Sequence, residues 1–295
     1  MRPGKAEDLP LLLELWRAEV AAGRQDMLPN ERTLRRLLAH FDWEARSRVV
    51  EDGRRIAGSV LVMSRPAPDG VITNVYAAGS PEIFHSLVGW GVGLSRAAGA
   101  SVAQVFVGKG LGGGLERAGL GLELVRPWWR MDRTLARLPE VASVAGYELT
   151  DATTVPAGSW EKMFNQTFLD HWRFAPRGER EIIGDRAPEL CLMAVTSAGR
   201  SPAAITVGEV EDYGGDDPRP QPVGLVSSVG TLPEHRRRGL ATWLVTEMLR
   251  RLRTAGARSA SLYVDGASQM KAYDVYRKIG FEVAREAEVW EATFS

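Results

Sequence analysis

The residues best suited to chemistry lie together in the C-terminal half of the chain. Arg236, Arg237 and Arg238 are consecutive, and Gly239 separates them from a stretch with helical periodicity. The first turn of a helix has backbone N–H groups without intrahelical partners, and the helix dipole adds partial positive charge there. Glycine allows the backbone to approach a phosphate closely. The order of a strand (Val223–Thr231), a basic loop, a glycine and a helix therefore predicts an anion site. The alternative is a basic turn before a surface helix. Even in an anion site, Arg237 need not contact the ligand.

Strands and helices must alternate around this loop to position it. The apolar residues after Gly239 recur at i, i+3 and i+4, which predicts a helix over Leu240–Ala255 that Gly256 ends. A strand at Ser259–Val264 and a helix at Met270–Lys278, stopped by Gly280, follow it. Further elements are predicted in this half as strands at Tyr147–Leu149, Leu190–Val195, Ala203–Val207 and Glu282–Trp290, and as a helix at Ser159–Asp170.

The N-terminal half repeats this order. Helices are expected at Asp8–Ala22, Glu31–His40 and Pro81–Ala98, and strands at Ser47–Val50, Ile56–Met63, Val71–Tyr76, Val102–Val107 and near Gly121–Val125. A short helix ending at Ala118 and Gly119 matches the end of the helix before Gly280. Mixed strands and helices indicate an α/β (α+β) fold in which helices cover a sheet. Pro139 and small residues place the domain boundary near Leu138–Gly146, which gives domains at 1–140 and 145–295.

Composition excludes several classes of function. Lys plus Arg and Asp plus Glu each number 37 of 295 residues, and this balance argues against nucleic acid or an anionic membrane as the main partner. We expect no membrane span, because no apolar run is long enough, and no signal peptide, because Met1–Pro10 is polar. The single cysteine, Cys191, permits no internal disulfide and lies in an apolar run, so a buried core residue and a cytoplasmic location are expected. The four histidines show no metal-ligand spacing, so no metal is predicted.

The segment from Thr231 to Ala241 resembles the Arg/Gln-x-x-Gly-x-Gly/Ala signature of the GNAT superfamily of N-acetyltransferases, with Arg236, Gly239 and Ala241 at its defining positions. Leu262–Asp265 and Ala272–Phe281 resemble the second motif of that superfamily. The resemblance covers about Tyr147 to the C-terminus well and the first half only as a degenerate copy. It implies two tandem GNAT-like domains, each with a mixed, mostly antiparallel central sheet flanked by helices. It also implies that two strands, Val223–Thr231 and Ser259–Val264, splay apart to admit acetyl-CoA as co-substrate.

The resemblance also assigns the cofactor-binding and catalytic residues. Backbone groups around Val229, Gly230 and Thr231 would meet the pantetheine arm. The pyrophosphate would be surrounded by Arg236, Arg237, Arg238, Gly239, Leu240, Ala241 and Thr242. Tyr276, four residues before Gly280, would donate a proton to the departing thiolate; the alternative is a half-buried structural tyrosine. Ser268 stands where many relatives have Asn and lacks the reach of an amide.

The implied reaction moves an acetyl group to a primary amine of a small molecule by direct attack. Asp170 or His171 could meet that amine, although a packed helix end is at least as good an interpretation. The general base is left open among Glu209, Glu211, Glu234, His235 and a water chain. A monomer or a homodimer is expected. The alternative function is a non-catalytic acyl-CoA sensor or interaction module.

The N-terminal copy lacks these chemical groups. No arginine follows its strand before Pro81, and the residue that matches Tyr276 is Leu115. We therefore expect a non-catalytic copy. Gly108–Gly113 satisfies Gly-x-Gly-x-x-Gly after a strand, which would suggest a nicotinamide-dependent oxidoreductase, but too little chain follows for a crossover helix. A chance match in a glycine-rich turn is the preferred interpretation.

Overall fold

The computed structural model describes residues 1–26, 31–116, 119–140, 142–213, 217–268 and 270–294. Its helices are α1 (Leu9–Ala21), α2 (Glu31–Leu37), α3 (Trp43–Arg46), α4 (Pro81–Ala97), α5 (Ser159–Thr167), α6 (Glu179–Ile182), α7 (Leu240–Thr254) and α8 (Ala272–Ile279). Its strands are β1 (Ser47–Asp52), β2 (Arg55–Ala67), β3 (Gly70–Gly79), β4 (Val102–Gly108), β5 (Glu123–Thr134), β6 (Tyr147–Asp151), β7 (Cys191–Thr196), β8 (Pro202–Glu211), β9 (Val223–Thr231), β10 (Ser259–Asp265) and β11 (Glu282–Thr293). The predicted mixed fold of sheet and covering helices is confirmed.

The chain forms two compact units that differ from the division expected at 1–140 and 145–295. Unit 1 comprises Met1–Trp128 with Arg285–Ser295, and unit 2 comprises Trp129–Ala284. The divisions fall inside β5 and β11, so each of these long strands contributes residues to both units. The predicted boundary followed Pro139 and its small neighbours, whereas the changes of unit occur within the strands β5 and β11.

Unit 1 contains the strand order β1-β2-β3-β4-β11. Its strands pair antiparallel except β3 and β4, which are parallel and are connected by α4. Apolar residues of α4, among them Leu87 and Val88, pack with Val75 and Val105 of the sheet. Trp290 of β11 joins this apolar cluster, and two smaller clusters form between α1 and the strands β1 and β2.

Unit 2 contains the strand order β5-β10-β9-β8-β7-β6, in which β9 and β10 are parallel and connected by α7. Helix α7 packs very closely on the sheet. A Cβ atom at Gly208 would lie 2.6 Å from the sulfur of Met248, and one at Gly224 would lie 2.7 Å from a methyl carbon of Leu252. The opposite face of β8 packs against Trp160 and other residues of α5. Two apolar layers thus fix the β9–α7 connection from both sides.

Several predicted bounds change in the structure. The strand over Val223–Thr231 is confirmed as predicted, and α7 ends one residue early, at Thr254. The helix predicted to reach Asp170 ends at Thr167, so Asp170 and His171 lie in the turn that follows it. The strand near Gly121–Val125 is longer than predicted and runs to Thr134. The helix expected to end at Ala118 includes Arg117 and Ala118, which lie outside the described residues.

In the part of the chain that the structure describes, no helix combines the length and the apolar character that a membrane span needs. Nor do three or more His, Cys, Asp or Glu side chains of those residues gather where they could hold a metal ion. Cys191 is fully buried in β7, and burial raises the pKa of its thiol to about 11.

Candidate functional site

The loop from β9 to α7 turns through two left-handed residues. After a 3₁₀ turn at Pro233–His235, Arg237 has φ of 65° and Gly239 has φ of 87°. Gly239 is the N-cap of α7, and the first helical bond runs from the N–H of Trp243 to its carbonyl at 3.0 Å. The nearest atom to a Cβ at Gly239 would be a Val144 methyl carbon at 3.8 Å, so space is ample there. Backbone conformation, and not crowding, therefore requires glycine at this position.

The N-cap residue of α7, Gly239, has no side chain that could cap the helix start. No side chain accepts a hydrogen bond from its first turn, so the N–H groups of Leu240, Ala241 and Thr242 have no acceptor among the described residues. These groups point out of the helix start, where the macrodipole places partial positive charge. Arg237 and Arg238 are exposed beside them. The predicted arrangement of basic loop, glycine and open helix start is thus present in the structure.

Arg236 has a different environment from its two neighbours. Its Nε donates to the carbonyl of Thr231 at 3.1 Å, and its two terminal nitrogens donate to the Asp170 carboxylate at 2.8 and 3.2 Å. The hydrogen bonds from Arg236 lower the pKa of Asp170. The guanidinium that the sequence placed around a pyrophosphate therefore joins the end of β9 to the turn after α5. Arg238 makes one bond, to the Glu234 carbonyl at 3.3 Å.

Strands β9 and β10 part within their length. They pair from Ser259 opposite Val223 to Leu262 opposite Val226, and the pairing stops there although both strands continue. At that point β9 carries an extra residue: Val226 faces Gly208 of β8, and Ser228 faces Val207, so Ser227 between them is a β-bulge. A bulge bends its strand and increases the local twist. The bulge therefore marks the place where β9 leaves β10.

Beyond the bulge, β9 stays paired with β8 alone. Val229, Gly230 and Thr231 face Thr206, Ile205 and Ala204 respectively, so the side of β9 toward β10 is open in this stretch. A Cβ at Gly230 would lie 2.1 Å from a methyl carbon of Thr167. Glycine at this position lets α5 lie directly on the open strand. The structure thus brings Val229, Gly230 and Thr231 to one edge of an opening.

Tyr276 lies on α8 with 8% of its surface exposed and with its ring 6.2 Å from that of Phe281. Its hydroxyl makes no hydrogen bond with another described residue. Burial raises the pKa of Tyr276 to about 12. The phenol is therefore protonated at neutral pH and has hydrogen-bonding capacity left for another molecule.

Ser268 lies in the turn between β10 and α8. Its N–H donates to the carbonyl of Asp265 at 3.2 Å, and its own carbonyl accepts from the N–H of Lys271 at 3.0 Å. The half-buried side chain makes no hydrogen bond that the structure describes. Its backbone shapes the entry to the helix that carries Tyr276.

The turn after α5 lies against the end of β9. The rings of Phe168 and His171 meet edge to face, with their centroids 4.7 Å apart. A Cβ atom at Gly230 would lie 3.0 Å from the ring of Phe168. Burial lowers the pKa of His171; Arg236 lowers it further, whereas Asp170 and Asp265 act in the opposite direction. The imidazole is therefore neutral at pH 7 and able to accept a proton.

Two of the other candidate bases, Glu209 and His235, make contacts of their own. Glu209 contacts the guanidinium of Arg186 at 3.4 Å. His235 shares a 2.9 Å hydrogen bond with the hydroxyl of Tyr147 at the start of β6. The Tyr147–His235 pair anchors the basic loop, and sequence reasoning missed it because 88 residues separate its partners.

The glycine-rich segment Gly108–Gly113 does not form a dinucleotide site in the described residues. It follows β4 as turns, and no α-helix begins among residues 109–116. The N–H of Gly110 donates to a carboxylate oxygen of Glu288 at 2.8 Å, and Lys109 pairs with Glu286 at 2.9 Å. Carboxylates of β11 thus take the place at which a phosphate would bind.

Comparison with known proteins identifies the fold. Residues 219–291 match the family model described as FR47-like protein. The crystal structure of a GCN5-related N-acetyltransferase from Sphaerobacter thermophilus aligns with a TM-score of 0.79 at 21% identity, over 99% of this chain and 94% of that one. A tandem GNAT protein from the clavulanic acid biosynthesis pathway aligns with a TM-score of 0.69 at 18% identity, over 99% and 97% of the two chains. No curated protein matches significantly.

The chain therefore has the fold of the GNAT N-acetyltransferases, and the resemblance carried by its two motifs is confirmed. The match to a tandem GNAT protein extends over nearly its whole length.

Replacement of Gly239 by Ala tests the left-handed start of α7. We expect Gly239→Ala to destabilise the protein by about 1–2 kcal/mol, because a side chain disfavours positive φ by that amount. Gly199→Ala is the control, since Gly199 lies in an exposed turn without positive φ. Urea denaturation followed by fluorescence measures both variants. Equal stabilities would contradict the conformational role given to Gly239.

Proposed function

We propose that the chain is an acetyl-CoA-dependent N-acetyltransferase that acts on the primary amine of a small molecule, with its site in unit 2. The observation that supports this proposal is the uncapped start of α7 beside the opening between β9 and β10. The helix start would accept a diphosphate, and the opening between the strands would accept an extended arm. CoA contains a diphosphate and an extended pantetheine arm. Unit 1 is proposed to be a non-catalytic copy.

The residues present fit the pyrophosphate of CoA. The N–H groups of Leu240, Ala241 and Thr242 would donate to phosphate oxygens, with Gly239 allowing close approach. Arg237 and Arg238 would add charge from the exposed side of the loop. Arg236 would act by holding the end of β9 in place through Thr231 and Asp170.

The pantetheine arm would lie along the open side of β9. In this stretch β9 pairs with a strand on one side only. The Thr231 carbonyl already accepts from Arg236, and the arm would supply hydrogen-bonding groups to the remaining backbone groups on the open side. Ser268 would contact the arm from the α8 side through a single hydroxyl. Binding would thus restore the hydrogen bonding that the parted strands lose.

The proposed reaction is a direct transfer. The amine nitrogen forms a bond to the thioester carbonyl carbon, the carbon–sulfur bond breaks, and the electron pair leaves on sulfur. The backbone N–H of Val229 would stabilise charge that develops on the carbonyl oxygen. The proton lost by the amine goes to a base, and the thiolate accepts a proton or a hydrogen bond from Tyr276.

The role of Tyr276 depends on its pKa. Burial places that pKa at about 12, whereas a thiol has a reference pKa of about 8.5. Complete transfer of the phenolic proton to the thiolate is therefore unfavourable in the unliganded site, because the pKa of Tyr276 exceeds that of the thiol by about 3.5. A hydrogen bond from Tyr276 that strengthens as charge collects on sulfur is the form of assistance these values favour.

We propose His171 as the group that accepts the proton of the amine. Asp170, the other polar residue of this turn, is held by Arg236 and has a lowered pKa, which makes it a poor base. His171 is neutral at pH 7 and lies beside Phe168, which contacts β9 next to Val229. The turn after α5 would therefore form the acceptor side of the site.

Binding and thiol release together test the function. Calorimetry should show saturable binding of acetyl-CoA that Arg238→Glu abolishes, because a carboxylate there repels the pyrophosphate. Acetyl-CoA with a panel of primary amines should release free thiol with at least one acceptor. Binding without release under every acceptor would support the alternative, an acyl-CoA sensor or interaction module; no binding would reject both.

Tyr276→Phe should lower kcat by about 100-fold while leaving the Kd of acetyl-CoA within twofold of wild type. The substitution removes only a hydroxyl that makes no hydrogen bond to any other residue that the structure describes, so the fold should persist. Stopped-flow thiol release measures the rate, and calorimetry measures the affinity. Unchanged turnover would mean that Tyr276 is a structural tyrosine.

His171→Gln should change the pH profile of kcat/KM. The amine must be deprotonated, which gives log kcat/KM a slope of one at neutral pH. His171 must also be neutral, and its pKa lies below 6.5, so wild type should reach a slope of two at acid pH. The variant should keep a slope of one throughout. Exposed His40→Gln is the control; a slope of two that persists in His171→Gln would exclude His171 as the base.

A further inference from the structure

Unit 1 contains its own parted pair of parallel strands. Strands β3 and β4 pair from Ile72 opposite Val102 to Val75 opposite Val105, and then separate although both continue. The last pair, Val75 with Val105, corresponds to Val226 with Leu262 of unit 2. The geometry that we propose to admit acetyl-CoA in unit 2 is therefore present a second time.

The residue of β3 that corresponds to Val229 can be identified from the register. Val229 is the third residue after the last pair, but one of these three is the bulged Ser227. The pairing of β2 with β3 has no bulge, so the second residue after the last pair, Ala77, takes the equivalent place. Its backbone lies where the pantetheine arm would bind.

A segment of the chain itself occupies this position in unit 1. The side-chain amide of Gln25 donates to the Ala77 carbonyl at 2.6 Å. Two residues earlier, the carbonyl of Gly23 lies 3.3 Å from the position of a Cβ at Gly108, the last residue of β4. The segment Gly23–Gln25 thus contacts both strands beyond their last pair, and it lies across the opening.

Strong interactions hold this segment in place. The N–H groups of Arg24 and Gln25 both donate to the carbonyl of Glu19, at 2.9 and 3.2 Å. The Arg24 guanidinium donates twice to the Glu19 carboxylate, at 2.9 and 2.7 Å, and Glu19 is only 4% exposed. A two-pronged bond of this kind fixes direction as well as distance. The contacts with Glu19 at the end of α1 therefore position Gln25 beside β3.

The start of α4 also differs from the start of α7. Pro81 is the first residue of α4 and has no N–H to donate, and Glu82 adds negative charge to the first turn. The hydroxyl of Ser80 donates to the Glu82 carboxylate at 3.2 Å. A diphosphate would meet a carboxylate here in place of arginines.

We infer that Gln25 closes the strand opening of unit 1 from within, by an amide that takes the place of the pantetheine arm, so that the chain binds one acyl-CoA and not two. This inference rests on the proposed function of unit 2. In unit 1 the Ala77 carbonyl, at the edge of β3, thus has its hydrogen bond from the chain itself and not from a ligand.

Calorimetry with acetyl-CoA on the full chain tests the stoichiometry. One mole bound per mole of chain, lost in Arg238→Glu, supports the inference. Two moles, or one mole that survives in Arg238→Glu, overturns it. No binding would refute the proposed function of unit 2, and the stability measurement below would then decide the inference.

Gln25→Glu tests the closure itself. The substitution keeps the size of the side chain but sets a carboxylate oxygen against the Ala77 carbonyl. We expect the melting temperature to fall by about 2–4 °C while the Kd of acetyl-CoA stays within twofold of wild type. Exposed Glu14→Ala on α1 is the control and should leave the melting temperature unchanged. An unchanged melting temperature in Gln25→Glu, or a loss of acetyl-CoA affinity as large as that of Arg238→Glu, would overturn the inference.

Discussion

The candidate site forms where β9 leaves β10, and an extra residue in β9 lies at that point. Ser227 faces no residue of β8 in the strand register, although its hydroxyl donates to the Val207 carbonyl at 3.2 Å, and directly before it the pairing of β9 with β10 ends. A regular parallel pair would satisfy every backbone group between these strands, and nothing could bind there. The parting of β9 from β10 turns part of the sheet into a strand edge within the protein. Edges of this kind are reactive toward any chain or ligand with amide groups.

Packing on both faces holds this edge and the helix start in a fixed relation. On one face, Gly208 and Gly224 let Met248 and Leu252 of α7 lie directly on the sheet. On the other face, Gly230 lets Thr167 and Phe168 approach β9. At each of these glycines, the absence of a side chain allows residues packed on the sheet to approach its backbone more closely. The uncapped N–H groups of α7 are thus rigidly placed by apolar contacts, and ligand binding need not order them.

The sequence predicted the elements of the site better than the contacts within it. Periodicity located α7, and the order of strand, arginines, glycine and helix located its open start, because these are local signals. The partner of Arg236 was not predictable, since Asp170 is 66 positions away and was assigned to a helix that ends before it. The bulge at Ser227 has no composition signal either. It shows only in the register with β8, which depends on how two strands meet.

The same limit explains the difference in domain bounds. Turn residues such as Pro139 mark surface loops well, but membership of a core is set by packing. Strand β5 continues across the change of unit without a turn, even though Pro127 lies just before it. In unit 1, the bond between Gln25 and Ala77 joins residues 52 positions apart and leaves no local pattern.

The contribution of β11 to unit 1 affects how the protein can be made. Val289 and Trp290 are buried in that unit with 0% and 4% exposure, and β11 pairs with β4 over seven residues from Ala287 to Thr293. A ribosome synthesises these residues after the whole of unit 2. Unit 1 therefore cannot finish its core until unit 2 has been synthesised, although most of its residues emerge first. Unit 2, whose residues are continuous in sequence, can complete its core before the unit that precedes it.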